Sequence, residues 1–380
     1  MKFIHLSDLH LGKRVYEYSM LEDQEYILKK IINIVDEEKP EGVIIAGDIY
    51  DKSVPSAEAV SLFDDFLVAL AKRKLEVFVI SGNHDSPERI AFGSRIMDAT
   101  GIHMSPVYDK TIDPITVRSK DIEANVYMLP FIKPVHVRKA FPNEKIESYT
   151  DAIDCVIKNM DIDDTKINIL VAHQFVTGSS RSDSEDYIVG GLDNVDSYVF
   201  KPFDYVALGH LHNPQDCGSD NIRYCGSPLK YSFSEAKSEK SVTVIEFEGK
   251  GAFSKKIIPL KPKRDLVEIK GEYKDLTAKS FYENTSYRDD YVHITLTDEN
   301  FIPDVVSKLR VIYRNLMKVD YDNETTRKNT VINTDSDVKR KTPHELFSDF
   351  YEMQNAQPMN KEQSDFMKEL IKKIEEKTIQ

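Results

Sequence analysis

Seven residues able to bind metal stand in five short runs, each following a stretch of aliphatic or β-branched residues. Asp8 and His10 lie in FIHLSDLHLG, Asp48 in GVIIAGDIYD, and Asn83 in VFVISGNHDS. His173 follows INILVA, and His210 and His212 close YVALGHLHNP. Two carboxylates, one amide oxygen and four imidazoles are enough donors for two neighbouring divalent ions that share one carboxylate. Each run alone is ordinary: Asp-x-His is often a capped turn, and Asp after glycine caps turns everywhere. Together, each at the end of an apolar run, they point to ligands collected from loops at the C-terminal edges of strands, where open α/β sheets bind.

The elements that must position these residues are legible in order. Residues 2–7 form a strand, and Met20 to Lys39 a helix with Leu21, Ile27, Leu28, Ile31, Ile32 and Val35 on one face, ended by Pro40. A strand over 43–46 delivers Asp48, Ser56 caps a helix carrying Val60, Phe63, Leu67 and Leu70, and a strand over 76–81 delivers GNHD. Pro87 opens a helix to about Ala99, which completes a β-α-β-α-β-α pattern of stacked βαβ units. Short strands occupy 112–130, residues 133–145 read as a basic loop, and 149–160 as a helix. Strands over 167–172 and 205–208 deliver His173 and His210. NIRYCGS, SVTVIEFE and AFSKKIIPL read as antiparallel strands closing a second sheet, and the first domain ends near Leu260.

After the KPKRDL joint, residues 265–335 read as a small α+β domain, with strands at 266–269 and 291–296, a helix at 303–309 and a strand near Val311. Two amphipathic segments follow in 344–380, one with Leu346, Phe347, Phe350 and Tyr351, the other with Phe366, Met367, Leu370, Ile371 and Ile374. The chain of 380 residues is long enough for two or more domains, and its 41% hydrophobic and 30% charged residues are those of a soluble globular protein. No run approaches the roughly 18 apolar residues of a membrane span. The N-terminus reads straight into a site-bearing strand and not into a cleavable signal. Three cysteines without a CxxC pair fit a reducing cytoplasm. A net charge of −13 argues against bulk electrostatic binding of nucleic acid, but two divalent ions would reverse that locally.

The five runs, as D-x-H, G-D-x-x-D, G-N-H-D, a lone His and G-H-x-H, resemble the motifs of the calcineurin-like metallophosphoesterases over about residues 2–260. The resemblance implies a four-layer α/β/β/α sandwich holding two metal ions. Asp8, His10 and His212 would hold one, Asn83, His173 and His210 the other, and Asp48 would bridge them. It implies manganese, and hydrolysis of a phosphodiester by in-line attack of a water acidified by both ions. His84 becomes the candidate proton donor to the leaving oxygen. Asp85 would orient His84 or cap its turn, and Asp51, completing G-D-x-x-D, would orient a ligand or water. His5, His103, His136, His293 and His344 are assigned no metal; His5 reads as packing, and His136 could touch a phosphate.

Longer runs narrow the resemblance. GLDNVDSYVFKPFDYVALGHLHNPQ, RYCGSPLKYSFSEA and the C-terminal ELFSDFYEMQN and EQSDFMKELIKKIEE are similar to the family of nuclease subunits of bacterial SbcCD complexes. That implies a cytoplasmic, nucleoid-associated exonuclease and endonuclease acting on double-strand DNA ends and hairpins. It implies 265–335 as a capping domain that selects DNA, with Lys308, Arg310, Arg314 and Lys318 as candidate phosphate contacts. An SbcC-type ATPase would dock on 344–380, and a homodimer within a heterotetramer would form through helices near 57–70 and 88–98. The chain contains no G-x-x-x-x-G-K-[ST] loop, so ATP chemistry would belong to the partner. A free-standing phosphodiesterase for a small substrate would explain the metal residues but leave 261–380 without a role, and a scaffold with structural metals would have no need of His84.

Overall fold

The computed structural model describes residues 1–120, 122–180, 182–183, 185, 193–323, 343–355 and 358–378. Residues 191–192 of the GLDNVD run, 324–335 at the end of the second segment, and 356–357 and 379–380 of the third lie outside the described residues. The chain divides into two compact units. One comprises Met1–Lys270, Lys274–Ile294 and Asp304–Val319, the other Gly271–Tyr273, Thr295–Pro303 and Asp320–Gln380.

Two six-stranded sheets organise the larger unit. In the first, Lys2–Leu6, Gly42–Ala46, Glu76–Ile80 and Ile102–Met104 run parallel in that order. Ser241–Gly249 adds antiparallel to Lys2–Leu6, with Ala252–Pro259 outside it. In the second, Ile122–Met128, Ile167–His173, Tyr205–Gly209 and Ser219–Tyr224 are mutually parallel neighbours, and Ile115–Ser119 and Gln215–Cys217 are antiparallel edges. The central strands are apolar on both faces because both faces are covered, as parallel sheets require.

Three apolar clusters mark the gaps between four layers. Leu28, Ile31 and Val35 of the helix Leu21–Glu38, with Phe63 and Leu70 of Ala57–Ala71, cover the outer face of the first sheet. Ile153 and Val156 of the helix Tyr149–Lys158 cover the outer face of the second. Between the sheets, Phe3, Ile44, Phe78 and Ile80 meet Val126, Ile169, Val171 and Ala207. This is the α/β/β/α sandwich. Ser56 caps its helix as expected, accepting a hydrogen bond from the Ala59 amide at 3.3 Å.

Three local expectations change. The strands at 241–259 extend the first sheet, not the second; only Ser219–Tyr224 joins the second, and it does so in parallel. The basic stretch after Lys133 contains a helix, Pro134–Ala140, opened by proline at its first position. The segment after Pro87 breaks into Pro87–Ile90 and Ser94–Met97 around Gly93, whose φ of +74° no helix accommodates. Beyond residue 265, Leu266–Gly271, Tyr291–Leu296 and Asn315–Tyr321 make a three-stranded sheet, with the short helix Val305–Arg310 before its last strand. Pro343–Asn355 and Lys361–Thr378 are helices. No helix among the described residues is long and apolar enough to cross a membrane.

Candidate metal centre

Three of the parallel strands of the first sheet, Lys2–Leu6, Gly42–Ala46 and Glu76–Ile80, end side by side, and their loops bond to one another. The amide of Asp8 donates to the Gly47 carbonyl and that of His10 to the Asp48 carbonyl, both at 3.0 Å. Asp8, His10, Asp48 and His210 all have positive φ, of 53°, 45°, 50° and 101°. Non-glycine residues in such conformations each cost on the order of 1 kcal/mol or more and persist only where surrounding structure over-determines them, which happens chiefly at functional sites. Two glycines decide how close the sheets approach. A Cβ on Gly47 would sit 2.4 Å from His173 Nδ1, and one on Gly209 would sit 1.9 Å from the Ala46 carbonyl oxygen. The hydrogen bond that His173 Nδ1–H donates to Ala46 O, at 2.8 Å, spans that seam.

All seven expected ligands converge there. His10 Nε2 lies 3.0 Å from His212 Nε2 and 3.6 Å from Asp48 Oδ2. His173 Nε2 lies 3.4 Å from Asp48 Oδ2 and 3.0 Å from Asn83 Oδ1, and His210 Nδ1 is also 3.0 Å from Asn83 Oδ1. Asp8 groups with His10 and His212 on one side and with Asp48 and His173 on the other, and His10 and Asp48 also group with His84; within each group the donor atoms lie within 4.8 Å of one another. Asp48 thus touches both halves. Apart from Asn83 these ligands are buried; Asp8, His10 and His173 are fully so.

The three residues expected beside the ligands each make distinct contacts at the rim of the centre. His84 Nδ1 faces the Asp51 carbonyl oxygen at 3.0 Å, and its Nε2 lies 4.0 Å from Asp48 Oδ2. A carbonyl oxygen can only accept, so Nδ1 carries the proton and Nε2 is turned inward. The Asp85 carboxylate accepts from the amides of Gly82, Ile49 and Tyr50 at 2.9–3.1 Å. It caps the turn and ties the second and third ligand loops together. The Asp51 side chain pairs with Lys13 at 2.7 Å and reaches within 4.0 Å of His10 Nδ1.

Further supports were not singled out by the sequence. Glu235 lies 3.5 Å from His212 Nδ1 and is paired with the buried Lys240, while Gln24 donates to the His10 carbonyl at 2.7 Å. Glu235 and Lys240 stand in a Ser- and Lys-rich stretch with no periodicity to single them out. The remaining histidines have other partners. His5 Nδ1 faces the Tyr205 hydroxyl, and His103 sits between Glu76 and Asp98. His136 Nδ1 accepts from the Lys133 amide, and His293 and His344 face Glu268 and Ser364.

Charge in the centre is poised for cations. Burial lowers His10 well below its ordinary range and raises the Asp8 carboxyl to about 6. For Asp48, burial is outweighed by His173, His10 and His84, which hold the carboxyl well below its usual range. Burial likewise disfavours a charge on His173, yet Asp48 and Asp8 push it up to about 9. In other words, the carboxylates draw a positive charge to the seam between the sheets. The His10 and His212 nitrogens that meet at 3.0 Å, and the mixed N and O donors without thiolate, fit divalent ions of the manganese, iron or zinc kind.

Residues 1–214 match the family model described as calcineurin-like phosphoesterase, and residues 262–355 the one described as type 5 capsule protein repressor C-terminal domain. The chain is 33% identical over 378 residues to SbcD, the nuclease component of SbcCD, from Staphylococcus epidermidis, covering 98% of each. It is 33% identical over 369 residues to the SbcD of Staphylococcus saprophyticus, covering 96% of each.

Proposed function

The chain belongs to the calcineurin-like phosphoesterases, and with its near full-length similarity to the SbcD nucleases we propose that it is a metal-dependent DNA nuclease. It would cleave phosphodiesters as exonuclease and endonuclease at double-strand ends and hairpins, as the nuclease subunit of an ATPase complex in DNA repair and recombination. The observation that carries this reading is the convergence of the seven candidate ligands, with the His84 ring at their edge.

Two divalent ions, manganese in this proposal, would supply Lewis-acid activation of a phosphate oxygen and a water. The protein does the rest. Asp8, His10 and His212 hold one position, Asn83, His173 and His210 the other, and Asp48 joins them. His84, with Nδ1–H anchored on the Asp51 carbonyl, presents Nε2 to the leaving oxygen and in its protonated form donates to it. Asp85 keeps the Asp48 and Asn83 loops in register through three amide hydrogen bonds.

Local charge favours a phosphodiester strand despite the overall −13. A cleft of about 630 Å³ is lined by Lys13, Arg14, Lys237, His293 and Lys318, with Asp183 and Glu268 as its acids. Lys13 links it to the centre through Asp51. Segment 265–335 would act as the capping domain, with Lys318 in this cleft and Lys308, Arg310 and Arg314 as further contacts. Exposed Phe350 and Phe366 on the C-terminal helices suit docking of an SbcC-type ATPase through 344–380. Exposed Val60, Val68, Phe92 and Ile96 suit a homodimer within a heterotetramer. The proposed setting is the bacterial cytoplasm, at the nucleoid.

Cleavage of end-labelled linear and hairpin DNA by the purified chain with manganese, beside Asp48→Ala, tests the reading. Products that disappear in the variant are expected. Hydrolysis of a simple phosphodiester with no cleavage of DNA, persisting after an SbcC-type partner is added, would overturn the nuclease assignment.

A further inference from the structure

One histidine in each proposed half of the centre is held by a different means. His173 Nδ1 donates to a neutral backbone carbonyl, that of Ala46. His212 Nδ1 faces a carboxylate oxygen of Glu235 at 3.5 Å. Glu235 is fully buried, and it is held by Lys240, whose Nζ lies 2.5 Å from the other carboxylate oxygen. The same ammonium donates to the His212 carbonyl at 2.7 Å and to Ser227 Oγ at 3.0 Å, so its three hydrogens are all engaged. The pair therefore grips His212 at both ends, ring and backbone.

A buried ion pair is a poor device for stability alone, because apolar residues of similar volume often serve as well or better. Its position behind a ligand supplies the reason for it. A carboxylate that accepts Nδ1–H fixes the tautomer, turns Nε2 toward His10 and makes the imidazole a stronger donor than a carbonyl partner does.

We propose that Glu235, held by Lys240, is a positioning residue for His212 and makes the Asp8–His10–His212 half bind its ion more tightly than the Asn83–His173–His210 half. This rests on the metal-centre reading. Breaking the Glu235 contact weakens the tighter site by about 10- to 100-fold, the range for partners behind metal ligands, and leaves the weaker site within about twofold.

Calorimetric titration of the metal-free full chain with manganese provides the test, on wild type, Glu235→Gln, Asn83→Ala and the double variant Glu235→Gln/Lys240→Met. The double variant removes both charges and so avoids stranding a buried ammonium. The expected result is two unequal sites in wild type, loss confined to the tighter one in both Glu235 variants, and loss confined to the weaker one in Asn83→Ala. A wild-type chain that binds no manganese would overturn the metal reading itself. Two sites in wild type that keep their affinities in the Glu235 variants would overturn only the positioning role. So would a loss shared equally by both sites and accompanied by a lower melting temperature of the metal-free chain, or a failure of both Glu235 variants to fold, since either makes the pair structural.

Discussion

The two sheets make unequal contributions to the centre. Loops of the first sheet bring Asp8, His10, Asp48 and Asn83, and with them His84, Asp85 and Asp51; strand ends of the second bring only imidazoles, His173, His210 and His212. Both carboxylates of the proposed ligand set come from one sheet and three of its four histidines from the other. The first sheet holds three of these residues in left-handed backbone, Asp8, His10 and Asp48, whereas in the second only His210 departs. Acidic donors crowded on strained turns of one sheet are thus matched by imidazole nitrogens on the other. Neither sheet is a metal site alone. The centre is a property of their packing, and anything that spreads the seam should cost both fold and ligands.

The largest expected effect breaks that seam directly. In Gly209→Ala the new Cβ would meet the Ala46 carbonyl oxygen at 1.9 Å, a backbone atom that cannot swing aside. We expect the metal-free chain to lose about 4 kcal/mol or more, in the range kept for severe core lesions, and manganese binding to vanish with it. Gly249→Ala, which meets nothing within 4 Å, should stay within about 0.5 kcal/mol. Comparing urea midpoints of the two variants decides the matter; equal midpoints would mean the sheets can part without penalty.

A smaller effect separates chemistry from assembly within the first sheet. His84 is not among the seven proposed ligands, so His84→Ala should leave manganese affinity within about twofold. The turnover of DNA should nevertheless fall by about 10²- to 10⁴-fold, the usual worth of a placed proton donor. Steady-state rates on a substrate with an activated leaving group, which needs no proton, should fall far less. Equal losses on both substrates would remove His84 from the role of acid.

What the sequence revealed follows from how each part is specified. Ligands at strand ends were legible because an apolar run of four or five residues followed by Asp, Asn or His is a local pattern, as in GVIIAGD and INILVAH. The helices Leu21–Glu38 and Ala57–Ala71 carry regular apolar stripes and a cap or stop. The hydrogen bonds of Glu235 to His212 and of Gln24 to the His10 carbonyl join residues brought together only by the fold, and no spacing encodes them. The strands at 241–259 were visible as strands, but an antiparallel hairpin can extend the edge of either sheet, and the choice is made by pairing with Lys2–Leu6. Pro134–Ala140 was hidden because seven residues with two valines offer little periodicity or helix propensity.

The smallest effect concerns a histidine placed between the sheets for packing. His5 lies in the first strand of the first sheet, fully buried, with Nδ1 3.1 Å from the Tyr205 hydroxyl of the second. Burial, reinforced by the nearby Arg223, lowers it from 6.5 to about 3. The folded chain therefore keeps His5 neutral while the unfolded chain takes up a proton below pH 6.5. Its contribution is fully present above pH 6.5 and is lost as the pH falls toward 3, with a limiting slope of about 1.4 kcal/mol per pH unit. Replacing His5 by a non-titrating residue removes that slope, so the stability of His5→Gln should fall less steeply than that of wild type on acidification. By pH 5 the gap between the two curves should have closed, or widened in favour of the variant, by about 2 kcal/mol relative to pH 7.5. Urea titrations at a series of pH values measure it. Parallel curves would mean that water or a proton reaches His5 in the folded chain, and that the two sheets are less tightly closed away from the metal centre than at it.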